Sequence, residues 1–83
     1  MKKTIEKENY LKTIYKMEEN DQSVTVTSLS QFFGVSKSTV SNMIKKLVVM
    51  DFIDTKPYKP ILLTPLGRKK ATEMIHKHRL IEL

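Results

Sequence analysis

Apolar residues recur along this chain at helical spacing, then briefly at strand spacing, then at helical spacing again. In residues 4–20, Tyr10, Leu11, Ile14, Tyr15 and Met17 stand among charged residues, and the 10/11/14/15 spacing is one face of a helix. Thr4 is its expected N-cap, with Glu6 and Glu8 near the first turn, where the helix dipole favours negative charge. Lys7 at the third position excludes a full capping box. Asn20-Asp21-Gln22-Ser23 is a polar break that ends the helix. Ser23-Val24-Thr25-Val26 alternates and is β-branched, which predicts a short strand. Thr27 then caps a second helix with Leu29, Phe32 and Phe33 at i, i+3, i+4, and Gly34 supplies the positive φ of a tight inter-helix turn. Ser36 caps a third helix whose stripe Val40, Met43, Ile44 and Leu47 faces the core. Its other face carries Lys37, Ser38, Ser41, Asn42 and Lys45, with Thr39 toward the start. Phe52–Lys56 and Ile61–Thr64 predict two strands, and Pro57 and Pro60 stiffen the tip and cannot donate to a ladder, so the hairpin is short or an edge. Thr64-Pro65 is an N-cap followed by proline at the first helical position, which opens a fourth helix from 65 onward.

That order of elements predicts a mainly α fold with a small β-wing, a winged helix-turn-helix. The expected division is the winged helix-turn-helix over 1–64 and, over 65–83, a helix leading toward a further domain outside this chain. The reason for expecting a longer parent is Leu80, Ile81 and Leu83, an apolar cluster with no Gly, Asn or Pro to stop the helix. Internal repeats and low-complexity tracts are absent from the sequence.

Composition narrows the partners. With 83 residues the chain is expected to form one domain, and 15 Lys+Arg against 9 Asp+Glu give a formal charge of +6. A small basic domain attracts polyanions, phosphate backbones above all. The absence of cysteine removes disulfides and thiolate metal sites, and it fits a reducing cytoplasm, the expected location. No apolar run approaches the roughly 20 residues of a membrane span, so no membrane partner is expected. The basic start, MKKTIEKENY, lacks the apolar segment of a signal peptide.

The third helix is suited to double-stranded DNA. Short polar side chains in its first turns reach base edges, and flanking lysines meet phosphates. Ser41 and Asn42 are placed for bases, and an asparagine can bond adenine through N6 and N7. Thr39 suits a thymine methyl or a phosphate, and Ser36 with the free N–H groups of the helix start suits a phosphate oxygen. Lys37, Ser38, Lys45 and Lys46, with Tyr58 and Lys59 at the wing tip, complete the expected contact set. The alternative is a winged helix that binds another protein, which would show exposed aromatic or aliphatic anchors on that face. An enzyme is not expected: no phosphate loop, paired-carboxylate motif or nucleophile elbow is present. His76 and His78 stand about 200° apart around a helix and cannot converge on one ion. His78 and Glu82, at i and i+4, share a side and present a nitrogen and an oxygen to one divalent ion, with Met74 a turn earlier.

Several strings resemble the N-terminal domain of the diphtheria-toxin-repressor family, which includes iron- and manganese-responsive repressors: ENYLKTIYKMEE at 8–19, GVSKSTVSNMIKKL at 34–47, KPYK at 56–59, LTPLGRKKA at 63–71 and HKHRLIEL at 76–83. The resemblance implies a homodimer that binds a palindromic operator when loaded with Fe(II) or Mn(II), with dimer contacts and most metal ligands in a second helical domain. It aligns Ser36, Ser38, Thr39, Ser41 and Asn42 with the family's DNA-contacting stretch. His78 aligns with a metal ligand of iron- and manganese-type members, and Glu82 with one of iron-type members. Two positions depart from the pattern. Asn9 stands where the first-helix ligand is Asp or Met, and its amide carbonyl is a poorer donor than a carboxylate. Lys12 stands where manganese-type members carry Glu, and a cation there repels an ion. The expectation is an incomplete metal site, with no metal held tightly by this chain. Val48-Val49-Met50 also departs, since the family carries charge at that end of the helix.

Overall fold

A computed structural model describes the backbone of residues 6–82 and the side chains of residues 6–76. The element order is α1 (Lys7–Glu19), α2 (Val26–Phe33), α3 (Lys37–Val49), β1 (Ile53–Asp54), β2 (Leu62–Leu63) and α4 (Pro65–Glu82). It is the expected helical arrangement with a small wing.

Helix α1 buries Tyr10, Leu11, Ile14 and Met17, the predicted face. Glu6 occupies its N-cap position without a side-chain cap; Thr4, the expected cap, lies outside the described residues. The helix closes in a Schellman turn. Asp21 takes φ 56°, the Gln22 N–H bonds the Met17 carbonyl at 2.9 Å, and the Asp21 N–H bonds that of Glu18 at 3.2 Å. Residues 23–26 do not form the expected strand, because the capping chemistry of Thr25 takes the chain into α2. The Thr25 hydroxyl accepts from the Ser28 N–H, and the Ser28 hydroxyl accepts from the Thr25 N–H, both at 2.9 Å. This reciprocal box satisfies two donors at once, so the cap is Thr25 and not Thr27, and α2 begins earlier than its apolar spacing suggests. Phe32, expected in the apolar stripe, is 64% exposed, because Leu29, Ser30 and Phe33 take the inward face of this short helix.

Gly34 takes φ 68°, as the turn requires, and its N–H bonds the Ser30 carbonyl at 2.9 Å. Val40, Ile44 and Leu47 of α3 are buried and Met43 packs at their edge. Helix α3 also ends in a Schellman turn, with Asp51 at φ 65° and the Phe52 N–H on the Leu47 carbonyl at 3.0 Å.

The wing is an antiparallel pair with Ile53 opposite Leu63 and Asp54 opposite Leu62. It is shorter than the runs Phe52–Lys56 and Ile61–Thr64 because the flanking donors are committed elsewhere or missing. The Phe52 N–H closes α3 and Pro60 has no N–H, while the Ile61 N–H points away from β1 and bonds the Val24 carbonyl at 2.8 Å. Thr64 caps α4 as predicted, accepting from the Gly67 N–H at 3.0 Å while donating to the Asp51 carbonyl at 2.6 Å. Gly67 is buried against the same turn, where any Cβ would fall on the Phe52 carbonyl oxygen. Helix α4 therefore starts flush against the end of α3 and then packs along α1, burying Ala71 between them.

Candidate nucleic-acid interface

Helix α3 is held from below by Val40, Ile44 and Leu47, so the opposite side must face outward. At 100° per residue, Ser38, Asn42 and Lys45 form the line diametrically opposite that stripe. Lys37, Ser38, Thr39, Asn42, Lys45 and Lys46 are exposed, and Ser41 is half-buried at the flank of the line. The start of the helix is fixed by Ser36, whose hydroxyl accepts from the Thr39 N–H at 3.1 Å and meets the Thr39 hydroxyl at 2.9 Å. These bonds commit the Ser36 side chain to capping. The backbone N–H groups of Lys37 and Ser38, which no helical carbonyl can reach, are the donors suited to an anion at this end.

The wing meets α3 across a groove of about 320 Å³. Ser41 and Lys45 border it from the helix, Thr55 and Lys59 from the wing, and Thr25 from the start of α2. One concave face thus carries Lys45 and Lys59 on opposite walls with small hydroxyl side chains between them. Tyr58 stands fully exposed at the tip with φ 63°, a left-handed conformation that aims its ring away from the protein body. The sequence reading missed Thr55 and Thr25 as groove residues. Thr55 had a signal, its place on the outgoing arm of the wing beside Lys56, whereas Thr25 comes to the groove only through the fold. Val49 continues the Ser38/Asn42/Lys45 line to the far end of α3 and is 86% exposed, with Val48 and Met50 partly exposed beside it.

The expected metal residues are not brought together by what the structure describes. Asn9 is exposed on α1 and borders a groove of about 460 Å³ with Lys12, Thr13, Lys16, Phe32 and Phe33, a lining that contains no carboxylate or imidazole. His76 sits elsewhere, on the α1–α4 seam with Tyr15, Lys16 and Glu19. The side chains of His78 and Glu82 lie outside the described residues. Among the described residues no group of three or more His, Cys, Asp or Glu is placed to hold an ion. No described helix is long and apolar enough to cross a membrane.

Together these features define a winged helix-turn-helix of the nucleic-acid-binding type. The family profile of the iron-dependent repressor N-terminal DNA-binding domain matches residues 3–61, and the chain belongs to that family. This is a family of DNA-binding regulators and not of enzymes. An HTH-type transcriptional regulator of Methanocaldococcus jannaschii is 34% identical over 77 residues, covering 92% of this chain and 62% of that protein. The HTH-type transcriptional regulator MntR of Geobacillus kaustophilus is 29% identical over 75 residues, covering 90% of this chain and 53% of its own length. Among solved structures, that of the manganese regulator SloR superposes with a TM-score of 0.82 at 38% identity, over 96% of this chain and 37% of SloR. The chain therefore spans less than two thirds of each of these relatives.

Proposed function

We propose that this chain is the sequence-reading part of a metal-responsive transcriptional repressor and that it binds double-stranded DNA with α3 in the major groove and the wing on the phosphate backbone. The observation that carries this reading is one concave face on which Ser41 and Lys45 of α3 stand across a groove from Thr55 and Lys59 of the wing, beside the exposed side chains of Ser38 and Asn42. Ser41 and Asn42 address base edges. Thr39 and the N–H groups at the start of α3 take a phosphate, and Lys37, Lys45, Lys46 and Lys59 supply charge. Membership of the iron-dependent repressor family and likeness to a manganese regulator support Mn(II) or Fe(II) as the effector of the whole protein. In this reading the whole protein is a cytoplasmic homodimer on a palindromic operator, each copy reading one half-site. A protein-binding winged helix is disfavoured because the first two turns of α3 expose hydroxyls, an amide and Lys37, and the exposed aliphatic residues Val48, Val49 and Met50 are confined to its far end.

Fluorescence anisotropy on a selected operator and on random duplex tests this reading. Asn42→Ala costs about 1–3 kcal/mol on the operator and little on random DNA. Lys45→Ala or Lys46→Ala weakens both and flattens the dependence on salt by about one unit of slope. An unchanged operator preference in Asn42→Ala would remove that residue from base recognition.

A further inference from the structure

The wing is too small to hold itself in place. A two-stranded hairpin is marginal in water even when long, and this one has two residues per strand. One edge of β2 pairs with β1. Its other edge presents the N–H groups of Ile61 and Leu63, which alternate onto the same side. The first bonds the Val24 carbonyl at 2.8 Å. The second bonds a side chain, the Glu18 carboxylate, through Oε2 at 2.8 Å. The other oxygen of Glu18, Oε1, takes the Arg68 guanidinium at 2.6 Å, and that guanidinium lies 5.9 Å from the centre of the Tyr15 ring. The Glu18 side chain is only 13% exposed, so both of its oxygens have found donors in a nearly closed setting.

This one carboxylate joins three elements: α1, which carries it, β2, which it caps, and α4, whose first turn supplies Arg68. Bonds in which one partner is ionised are shorter and stronger than neutral ones, which suits a single side chain that replaces a missing third strand. Arg68 is 50% exposed, so its part is to orient the carboxylate toward the Leu63 N–H while Tyr15 supports the guanidinium from below.

We infer that Glu18 is the positioning residue of the wing: it fixes β2 to α1 and so sets where Lys59 stands across the groove from α3. The consequence for DNA rests on the proposed wing–phosphate contact, whereas the pinning itself is a property of the free protein. Glu18→Ala and Glu18→Gln in the whole 83-residue chain test the two separately. In the free protein, amide exchange at Leu63 rises at least about tenfold in Glu18→Ala, while core amides of α1 such as Ile14 change less than about twofold. Glu18→Gln lies between, because a glutamine oxygen still accepts from Leu63 but loses the charge that holds Arg68. On duplex DNA, Glu18→Ala weakens binding about three- to tenfold. The loss is non-additive with Lys59→Ala and additive with Asn42→Ala.

Unchanged exchange at Leu63 in Glu18→Ala would overturn the pin. So would a loss of affinity that adds to Lys59→Ala as fully as to Asn42→Ala, because that result marks a general loss of stability. Faster exchange at Leu63 together with a silent Lys59→Ala would uphold the pin and overturn only the wing's contact with DNA. If Glu18→Ala fails to fold, Glu18→Gln in the same cycles carries the decision.

Discussion

Among the described residues Tyr10 is the largest fully buried side chain, with its ring 4.6 Å from that of Phe33, centre to centre. Among the described residues its hydroxyl finds no hydrogen-bond partner, and burial pushes the phenol above its ordinary value of 10.0. An unpartnered buried hydroxyl costs free energy, and removing it while keeping the ring costs none of the packing. Tyr10→Phe is therefore expected to raise stability by about 1 kcal/mol in urea unfolding. A loss of that size would reveal a partner for the hydroxyl. In the parent chain, stability contributed by the protonated phenol is intact below pH 10 and falls above it, because the folded state holds the proton more tightly than the unfolded state does. Single residues were unevenly legible. Ser36, Gly34 and Thr64 stand at breaks in the apolar pattern where one capping or turning residue has no competitor, and the structure uses each as expected. Val24-Thr25-Val26-Thr27-Ser28 offers several capping residues inside a run that also alternates like a strand. Ser28 three places after Thr25 decides between them, since that pair can satisfy each other's N–H groups.

At the scale of elements, α1, α2 and α3 follow from spacing, because each buries a stripe that a period near 3.6 aligns, whereas α4 follows from Thr64-Pro65 at its start. Spacing did not separate Leu29 and Phe33, which are inside, from Phe32, which is outside, because an eight-residue helix turns only one narrow face to the core. The wing's place was legible from its prolines, but its length was not. Strand length depends on which N–H groups are left for the ladder; that of Phe52 is drawn away to the end of α3 and Pro60 has none. What remains is a short arm that brings Lys59 to the groove wall facing Lys45. If that arm meets the backbone of DNA, reversing its charge affects every duplex equally. Lys59→Glu is expected to lower affinity for operator and random DNA by the same factor and to reduce the salt slope by at least about one. Titration at several ionic strengths checks this, and equal binding before and after would show that the wing points away from DNA. The glycine behind the wing sets a separate constraint: Gly67 lets α4 start against Phe52, so the wing's base and the α4 start form one rigid corner.

On the scale of the whole molecule, the contacts that tie the elements together were the least legible. Glu18 reaches Leu63 and Arg68 across 45 and 50 residues, and no local pattern marks this one glutamate of a charged helix as their partner. Effector binding belongs to the same scale. The chain carries a net charge of +6, and Lys12 and Lys16 line the groove beside Asn9, the α1 position that the family resemblance assigns to a ligand. A divalent ion there would meet two nearby cations and a neutral amide, whereas Mn(II) and Fe(II) favour carboxylates and imidazoles. His78 and Glu82, at i and i+4 on α4, can offer at most one nitrogen and a carboxylate, which leaves most of an octahedral shell to water. The expected result is that calorimetry of this 83-residue chain with Mn(II) shows no site tighter than about 1 µM, and that its affinity for DNA does not change when a chelator is added. On the proposed function, metal response of the whole protein draws on ligands that these residues do not supply, and this chain by itself is expected to bind DNA, only more weakly for lack of a second copy on the other half-site. A tight site abolished by His78→Ala would overturn this, because it would require Asn9 and His78 to close on one ion despite Lys12.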